Sequence, residues 1–301
     1  MASRIRPRAS TPACWPRHSS KSSTLQEARM AVTEPRPSPA PVLWQVRAGI
    51  PRQLYWLLAF LGLVVPLTLW WMGSLSGTDS VFLPSPAKVW ARTLTWWTED
   101  ALLNDITISI GRVVAGFLVS AMIALPLGLL IGSFKAVQGL LEPLTEFIRY
   151  MPAVAFIPLV MLWVGIDESS KVAIIFIGTF FQMMLLVAED VRRVPMAQIE
   201  AAQTMGANRR ELVEKVILPS AKPALLDTMR VCMGSAWTYL VVAELVAANS
   251  GLGHAILKAQ RFLQTDKIFA GILIIGLIGL LTDQAFRLVH RKLYPWAHLK
   301  G

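Results

Sequence analysis

Residues 113–134 read VVAGFLVSAMIALPLGLLIGSF, and none of these 22 residues is charged. An α-helix of about 20 apolar residues crosses the hydrocarbon layer of a bilayer, which is about 30 Å thick. The stretch is therefore long enough to form a membrane-spanning helix. Such a helix satisfies its backbone hydrogen bonds internally, which lipid requires.

The rest of the chain has the composition of a membrane protein. Of its 301 residues, 54% are hydrophobic and 16% are charged, and the mean hydropathy is +0.51. Soluble domains carry about 25% charged residues. The formal net charge of +10 in so apolar a chain indicates basic cytosolic edges more than nucleic-acid binding.

Five further stretches are similar to the first in length and apolar character, and Glu244 and Asp283 are isolated acids within two of them. Pro152 and Pro158 interrupt the stretch that is third along the chain, which predicts a kinked helix inside a bundle. We expect an all-α polytopic membrane protein with about six transmembrane helices. The predicted spans are approximately 54–73, 107–134, 146–166, 171–188, 223–248 and 268–288.

The first 52 residues differ from the transmembrane domain predicted for residues 53–301. They hold nine of the 29 basic residues, two acids and eight of the 19 prolines. A segment of this composition cannot bury a core, so we expect a disordered basic cytosolic tail. No apolar stretch precedes Leu54, which argues against a cleavable signal peptide. A further hypothesis places the true start at Met30.

The distribution of Lys and Arg predicts that both termini are cytosolic. The connection 189–222 contains six basic residues, whereas 73–105, on the predicted outer side, has two basic residues against four acids. The outer connection 249–267 runs mildly against the rule, because it carries Lys258, Arg261 and Lys267.

The connection 189–222 is more than a polar linker, since residues 192–223 read RRVPMAQIEAAQTMGANRRELVEKVILPSAKP. Pro195 fits the first turn of one helix, and Gly206 supplies a break. Asn208 with Glu211 can cap a second short helix, which we expect Pro219 to end. This hairpin either presents an apolar ridge to a cytosolic partner or covers the bundle's own end. The predicted apolar stripes are Ile199, Ala202 and Met205, and Leu212, Val213 and Val216.

Seven positions in this connection resemble the EAA loop of bacterial ABC-importer permease subunits of the type I-like fold. Val216 stands where isoleucine is usual in that family, and the other six positions match. The seven residues are Glu200, Ala201, Ala202, Gly206, Val216, Leu218 and Pro219.

Residues from about 103 to 292 also resemble the permease subgroup that serves nitrate, taurine, alkanesulfonates and bicarbonate. Phe156 departs from the tryptophan common at its position. The matching stretches are 110–112 (IGR), 116–117 (GF), 155–159 (AFIPL), 162–166 (LWVGI), 241–244 (VVAE) and 251–253 (GLG).

The resemblance implies that the loop is a coupling helix, which docks on a separate subunit that binds ATP. It further implies a bacterial inner-membrane permease for a small anionic solute, a second permease copy in a homodimer, and an extracytoplasmic solute-binding protein. This chain itself would bind no cofactor.

No phosphate-binding G-x-x-x-x-G-K-[ST] sequence and no catalytic constellation occurs in the chain, so we expect a transporter subunit and not an enzyme. A stand-alone channel or secondary carrier is the alternative. Cys14 and Cys232 are expected to be incidental, and no metal cluster is expected. Polar residues inside membrane spans often line pathways. The pathway candidates are Arg112, Gln182, Trp237, Thr238 and Glu244.

Overall fold

The computed structural model describes residues 50–76 and 82–298, without the side chains of residues 76, 247, 297 and 298. Every regular element in these ranges is helical, as the sequence predicts. The predicted tail up to position 49, with Cys14 and Met30, lies outside the described residues.

The α-helices follow one another with short connections. In chain order they are α1 (Arg52–Ser76), α2 (Pro86–Thr98), α3 (Leu102–Ser133), α4 (Lys135–Arg149), α5 (Ile157–Val164), α6 (Glu168–Arg192), α7 (Met196–Thr204), α8 (Leu218–Ala247), α9 (Leu252–Arg261) and α10 (Thr265–Leu293). The other elements are 3-10 turns at Ala153–Phe156 and Pro295–His298, an α-helical turn at Arg209–Glu211 and a π-helix at Leu212–Ile217.

Within the described residues, five helices are long and apolar enough to cross a bilayer: α1, α3, α6, α10 and the run Arg209–Val246 that contains most of α8. The predicted third span, 146–166, is wrong as a single kinked helix. α4 fills the predicted connection after Ser133, and the chain then bends by 89° before the segment Ala153–Val164. Pro152 lies at this bend, and proline disfavours a helical residue before it. A sixth span requires this bent pair to cross as one unit.

The core of the bundle is the close packing of α3 against α6. A Cβ atom added to Gly128 would lie 2.6 Å from a methyl carbon of Val187, and one added to Gly132 would lie 2.6 Å from the Cβ of Val191. Real Cβ atoms do not approach so closely, so these positions require glycine. Small residues recur every fourth position along this face of α3, at Gly116, Ser120, Ala124, Gly128 and Gly132.

The two helices run parallel in a constant register. The hydroxyls of Ser120 and Thr179 lie 2.6 Å apart and are fully buried. These residues are 59 positions apart in the chain, and Gly128 is the same distance from Val187. Because lipid is as apolar as a leucine side chain, such close packing and interhelical hydrogen bonds hold membrane helices together.

α8 packs on the other side of α6, where the ring of Tyr239 lies directly against Gly178. α9 folds back against α10, since Gly271 leaves room for Ile256. A second apolar cluster joins α2, α9 and α10 to the start of α3. Its buried members are Val89, Trp96, Leu102, Leu252, Ala255 and Ala270.

We expect Gly128→Val to lower the melting temperature of the detergent-purified protein, because the new side chain would force α3 and α6 apart. Overpacking of this kind costs about 1–3 kcal/mol. Gly111→Val is the matched control, since Gly111 lies in the same helix with no atom within 4 Å of an added Cβ. Equal melting temperatures for the two variants would contradict the tight interface.

Candidate functional site

The first candidate site is the hairpin, residues 196–219, at the end of the bundle where α3 and α6 finish. We call this the hairpin end. α7 stops at Thr204, and Gly206 turns the chain with a φ of +86°, a conformation that side chains other than glycine seldom adopt. Asn208 then accepts a hydrogen bond from the Glu211 amide at 3.0 Å, and the Glu211 carboxylate accepts one from the Asn208 amide at 3.1 Å. The predicted capping pair is confirmed.

One face of the hairpin packs on the bundle and the other is exposed. Ala202 is buried, and Ile199 and Val213 pack against the main core. Glu200, Ala201 and Gly206 are exposed. Met205, which the sequence places on the inner stripe, is 82% exposed, because α7 ends one residue before it. The hairpin therefore covers the bundle end and also presents a free outer surface.

The second part of the hairpin is not a separate short helix. Pro219 was expected to end it, but α8 begins at Leu218 and continues through Pro219 to Ala247. Proline lacks the N–H that a regular α-helix would use here, and the π-helix Leu212–Ile217 directly before it already departs from the regular α-helical hydrogen-bond pattern. The π-helix with Val216 joins the capped turn directly to α8. The hairpin and the long helix are thus one mechanical element.

The second candidate site is a buried charge cluster at the opposite end of the bundle, which we call the cluster end. Arg112, on α3, is 3% exposed. Its guanidinium donates to both oxygens of Glu168 at 2.6 and 2.7 Å, and to Glu244 at 2.7 Å. Lys171 also binds Glu168, at 2.7 Å. Two cations therefore face two carboxylates.

Glu244 is fully buried and receives further hydrogen bonds. The Ser109 hydroxyl donates to it at 2.8 Å, and the Gly253 amide donates at 2.7 Å. Gly251, at a φ of +106°, lies so close to Glu244 and Arg112 that no Cβ would fit. The cluster joins α3, α6, α8 and the start of α9, so Arg112 and Glu244 fix helix positions.

The other pathway candidates lie apart from this cluster. Trp237 is buried and its indole donates to Thr282 at 3.3 Å. Thr238 is exposed, whereas Gln182 is half-buried and lines a cavity of about 50 Å³ with Tyr239. The five candidates therefore do not converge on one site.

Another charged pair at the hairpin end joins two long helices. Arg230, on α8, lies 3.4 Å from Asp283 on α10 and 3.6 Å from Asp227. Arg287 binds the other Asp283 oxygen at 2.7 Å. The isolated acid Asp283 therefore has two basic partners within the bundle.

Comparison with known proteins accounts for both the fold and the hairpin. Residues 124–294, more than half of the chain, match the family described as "Binding-protein-dependent transport system inner membrane component". The chain belongs to this family. The matched residues include the whole hairpin and the helices on either side of it, so the resemblance read from the EAA loop is confirmed at the level of the family.

Relatives of this permease are similar over most of its length. The taurine transport system permease protein TauC of Escherichia coli is 35% identical over 78% of this chain and 87% of its own. The putative aliphatic sulfonates transport permease protein SsuC of Bacillus subtilis is 36% identical over 83% and 92%. A chain of the inward-facing MetNI methionine ABC transporter shares the fold, with a TM-score of 0.55 at 20% identity over 65% and 98%.

Sequence reasoning about this permease missed Glu168, Lys171 and Ser109. Glu168 lies between the predicted spans 146–166 and 171–188, and Lys171 is the first residue of the later one. Unpaired charges are costly in a membrane. The presence of Arg112 and Glu244 in the predicted spans therefore indicates polar partners at the same depth in the bilayer.

We expect Glu244→Gln to destabilise the purified permease strongly. Removing one partner of a buried ion pair costs about 3–5 kcal/mol, because the other charge stays buried without compensation. The melting temperature of the detergent-purified protein measures the effect.

Glu168→Gln is the control for this prediction, since the Glu168 side chain is 63% exposed and water can compensate for its loss. The Glu168→Gln decrease should be clearly smaller. The double variant Arg112→Leu/Glu244→Leu should recover part of the loss. If Glu244→Gln melted at or above the temperature of Glu168→Gln, the cluster would not fix the bundle.

Proposed function

We propose that this chain is the permease subunit of an ABC importer for a small anionic solute of the sulfonate class, driven through its hairpin by a separate ATPase. The observation that carries the coupling role is the exposed outer surface of a hairpin that continues into α8. The solute class rests on the names of the relatives, which are taurine and aliphatic sulfonate permeases.

The hairpin has the properties of a docking element. Its turn is held by the reciprocal cap of Asn208 and Glu211, so little order has to be gained on binding. Its outer side combines the apolar Met205 with the exposed carboxylate of Glu200 and the small Ala201. An apolar centre with a charged rim suits a specific contact with another protein.

A movement of the hairpin would be transmitted to the membrane-spanning part by a continuous helix. The π-helix Leu212–Ile217 leads into α8 without an intervening loop, and α8 packs on α6 at Gly178. A docked ATPase that displaces the hairpin would therefore tilt α8 and the α3–α6 core together. Such rigid-body movement is a common form of conformational switching.

The orientation we propose has the hairpin end in the cytosol, with both termini on that side. The residues around the hairpin support it, because Arg192, Arg193, Arg209, Arg210 and Lys215 lie there and cytosolic segments are rich in Lys and Arg. The cluster end would then face the extracytoplasmic solute-binding protein.

We place the pathway between two copies of the permease. Arg112 and Glu244 are buried and satisfied, so we assign them to positioning. Thr238 is exposed on α8 and Gln182 is half-buried on α6, and such side chains could hydrogen-bond a passing solute in a homodimer.

We expect Glu200→Arg to reduce co-purification of the ATPase with the permease in mild detergent, and to lower uptake. The arginine would replace a carboxylate with a cation, which the ATPase surface that binds Glu200 would repel. Quantitative mass spectrometry of the purified complex gives the ratio of ATPase to permease. A rim charge typically contributes about 1 kcal/mol, so the affinity should fall about tenfold with the repulsion added.

Glu146→Arg is the matched control, because Glu146 is an exposed glutamate on α4, outside the hairpin. It should keep the wild-type ratio. Full uptake by the Glu200→Arg permease, or uptake by the permease alone without nucleotide, would instead favour a stand-alone carrier.

A labelling experiment tests the orientation. In a Cys14→Ser background without the ATPase, Phe262→Cys should react with a membrane-impermeant maleimide on intact spheroplasts. Met205→Cys should react only after permeabilisation. Both side chains are well exposed, at 67% and 82%, and Cys232 is buried. The reverse pattern would invert the proposed topology.

Reconstitution tests the solute class. Vesicles that contain the permease, its ATPase and its binding protein should accumulate labelled taurine or an alkanesulfonate when ATP is supplied on the hairpin side. Accumulation of a solute without a sulfonate group in preference to these sulfonates would overturn the assignment.

A further inference from the structure

A cleft of about 640 Å³ lies between the hairpin and the bundle. Sites for small ligands commonly have volumes of about 300–1,000 Å³, so the cleft is large enough to bind one. Its walls come from the α3–α4 junction, the end of α6, α7 and the π-helix. The apolar part of the wall includes Val191, Val194, Ile199, Leu212, Val213 and Ile217.

The polar residues around this cleft have one sign of charge. Lys135, Arg192 and Arg209 line it, and no aspartate or glutamate among the described residues does. Arg192 is already bound by Glu142 at 2.9 Å and Glu189 at 3.3 Å.

The other two cations remain available. Lys135 donates to the neutral side chain of Gln138 at 3.0 Å, and Arg209 makes no ion pair within the part of the chain that the structure describes. Two cations beside an apolar wall favour a ligand with an anionic head and an apolar body.

A buried hydroxyl also points to a ligand here. The Ser133 oxygen lines the cleft and has no hydrogen-bond partner among the described residues. Buried polar groups almost always have a partner. A ligand oxygen in the cleft would supply one.

The depth of the cleft identifies the ligand class. It lies where α3 ends at Ser133 and α6 ends at Arg192, which is the level of lipid headgroups for two helices that cross the bilayer. Basic sites between helices on the cytosolic side bind anionic headgroups. We infer that the cleft binds an anionic phospholipid, with its phosphate near Lys135, Arg209 and Ser133 and acyl carbons along the apolar wall.

A lipid in this position would contact the hairpin and the ends of α3 and α6 together. It would therefore hold the hairpin at a set distance from the bundle before the ATPase docks. This role rests on the proposed function and orientation, but lipid binding itself can be measured without the ATPase.

Native mass spectrometry of the purified permease, delipidated and then incubated with phosphatidylglycerol or phosphatidylcholine, tests the inference. We expect tight retention of phosphatidylglycerol and weak retention of phosphatidylcholine. Lys135→Gln/Arg209→Gln should weaken retention of phosphatidylglycerol about 25-fold, at about fivefold for each cation near the headgroup.

Arg210→Gln/Lys215→Gln is the matched control. It removes the same number of positive charges from neighbouring positions that are 82% and 70% exposed and lie outside the cleft. This variant should retain phosphatidylglycerol as the wild type does. A second variant, Val213→Trp, fills the cleft and should displace the lipid with no change of charge.

Equal losses in the two charge variants would show a general surface effect and overturn the inference, as would no loss in the cleft variant. Stronger retention of a free fatty acid or of inorganic phosphate than of phosphatidylglycerol would overturn the assignment to a phospholipid. Failure of the ATPase to co-purify, with lipid retention intact, would reject the proposed function and leave this site standing.

Discussion

The close approach of α3 and α6 is the constraint on which the rest of the permease depends. Inside a bilayer, burying apolar side chains against each other gains little over leaving them in lipid, so helices associate through tight contact and shared hydrogen bonds. The small residues from Gly116 to Gly132 permit that contact over four turns, and the Ser120–Thr179 pair adds a hydrogen bond. α8 and α10 are then assembled around a pair whose register is fixed.

The charge cluster has a different role, because it fixes the positions of the helices at the cluster end. Arg112 reaches Glu168 at the start of α6, Glu244 near the end of α8 and the backbone of Ser250 before α9. A buried ion pair contributes little net stability compared with an apolar pair, but it permits only one arrangement of its partners. Its value here is therefore positional, since it determines where four helices meet.

Much of this architecture follows from local sequence patterns. The predictions that were wrong share physical causes. Apolar length predicted α1, α3, α6 and α10, and side-chain chemistry predicted the cap of Asn208 and Glu211. The bend near Pro152 and the course of α8 through Pro219 were harder to predict from the sequence. A proline can follow the end of one helix or lie near the start of another, and the proline itself does not show which. The partners of Arg112 could not be found from spacing, since Glu168 and Glu244 come close only after three helices have packed.

Because a π-helix joins the capped turn to α8, the number of residues between them affects how the hairpin is oriented. A π-helix accommodates one more residue in a turn than an α-helix does, so it is often the mark of a single inserted residue. Each residue of an α-helix advances by about 100° around the axis, at 3.6 residues per turn. Losing one residue between Leu212 and Ile217 would therefore turn the π-helix into a regular α-helical turn and leave Met205 and Glu200 close to their present orientation, whereas one more residue there would turn them by about a quarter-turn relative to the membrane part. The orientation of the hairpin thus depends on the number of residues in this segment, which can lose one residue but cannot gain another without turning the hairpin.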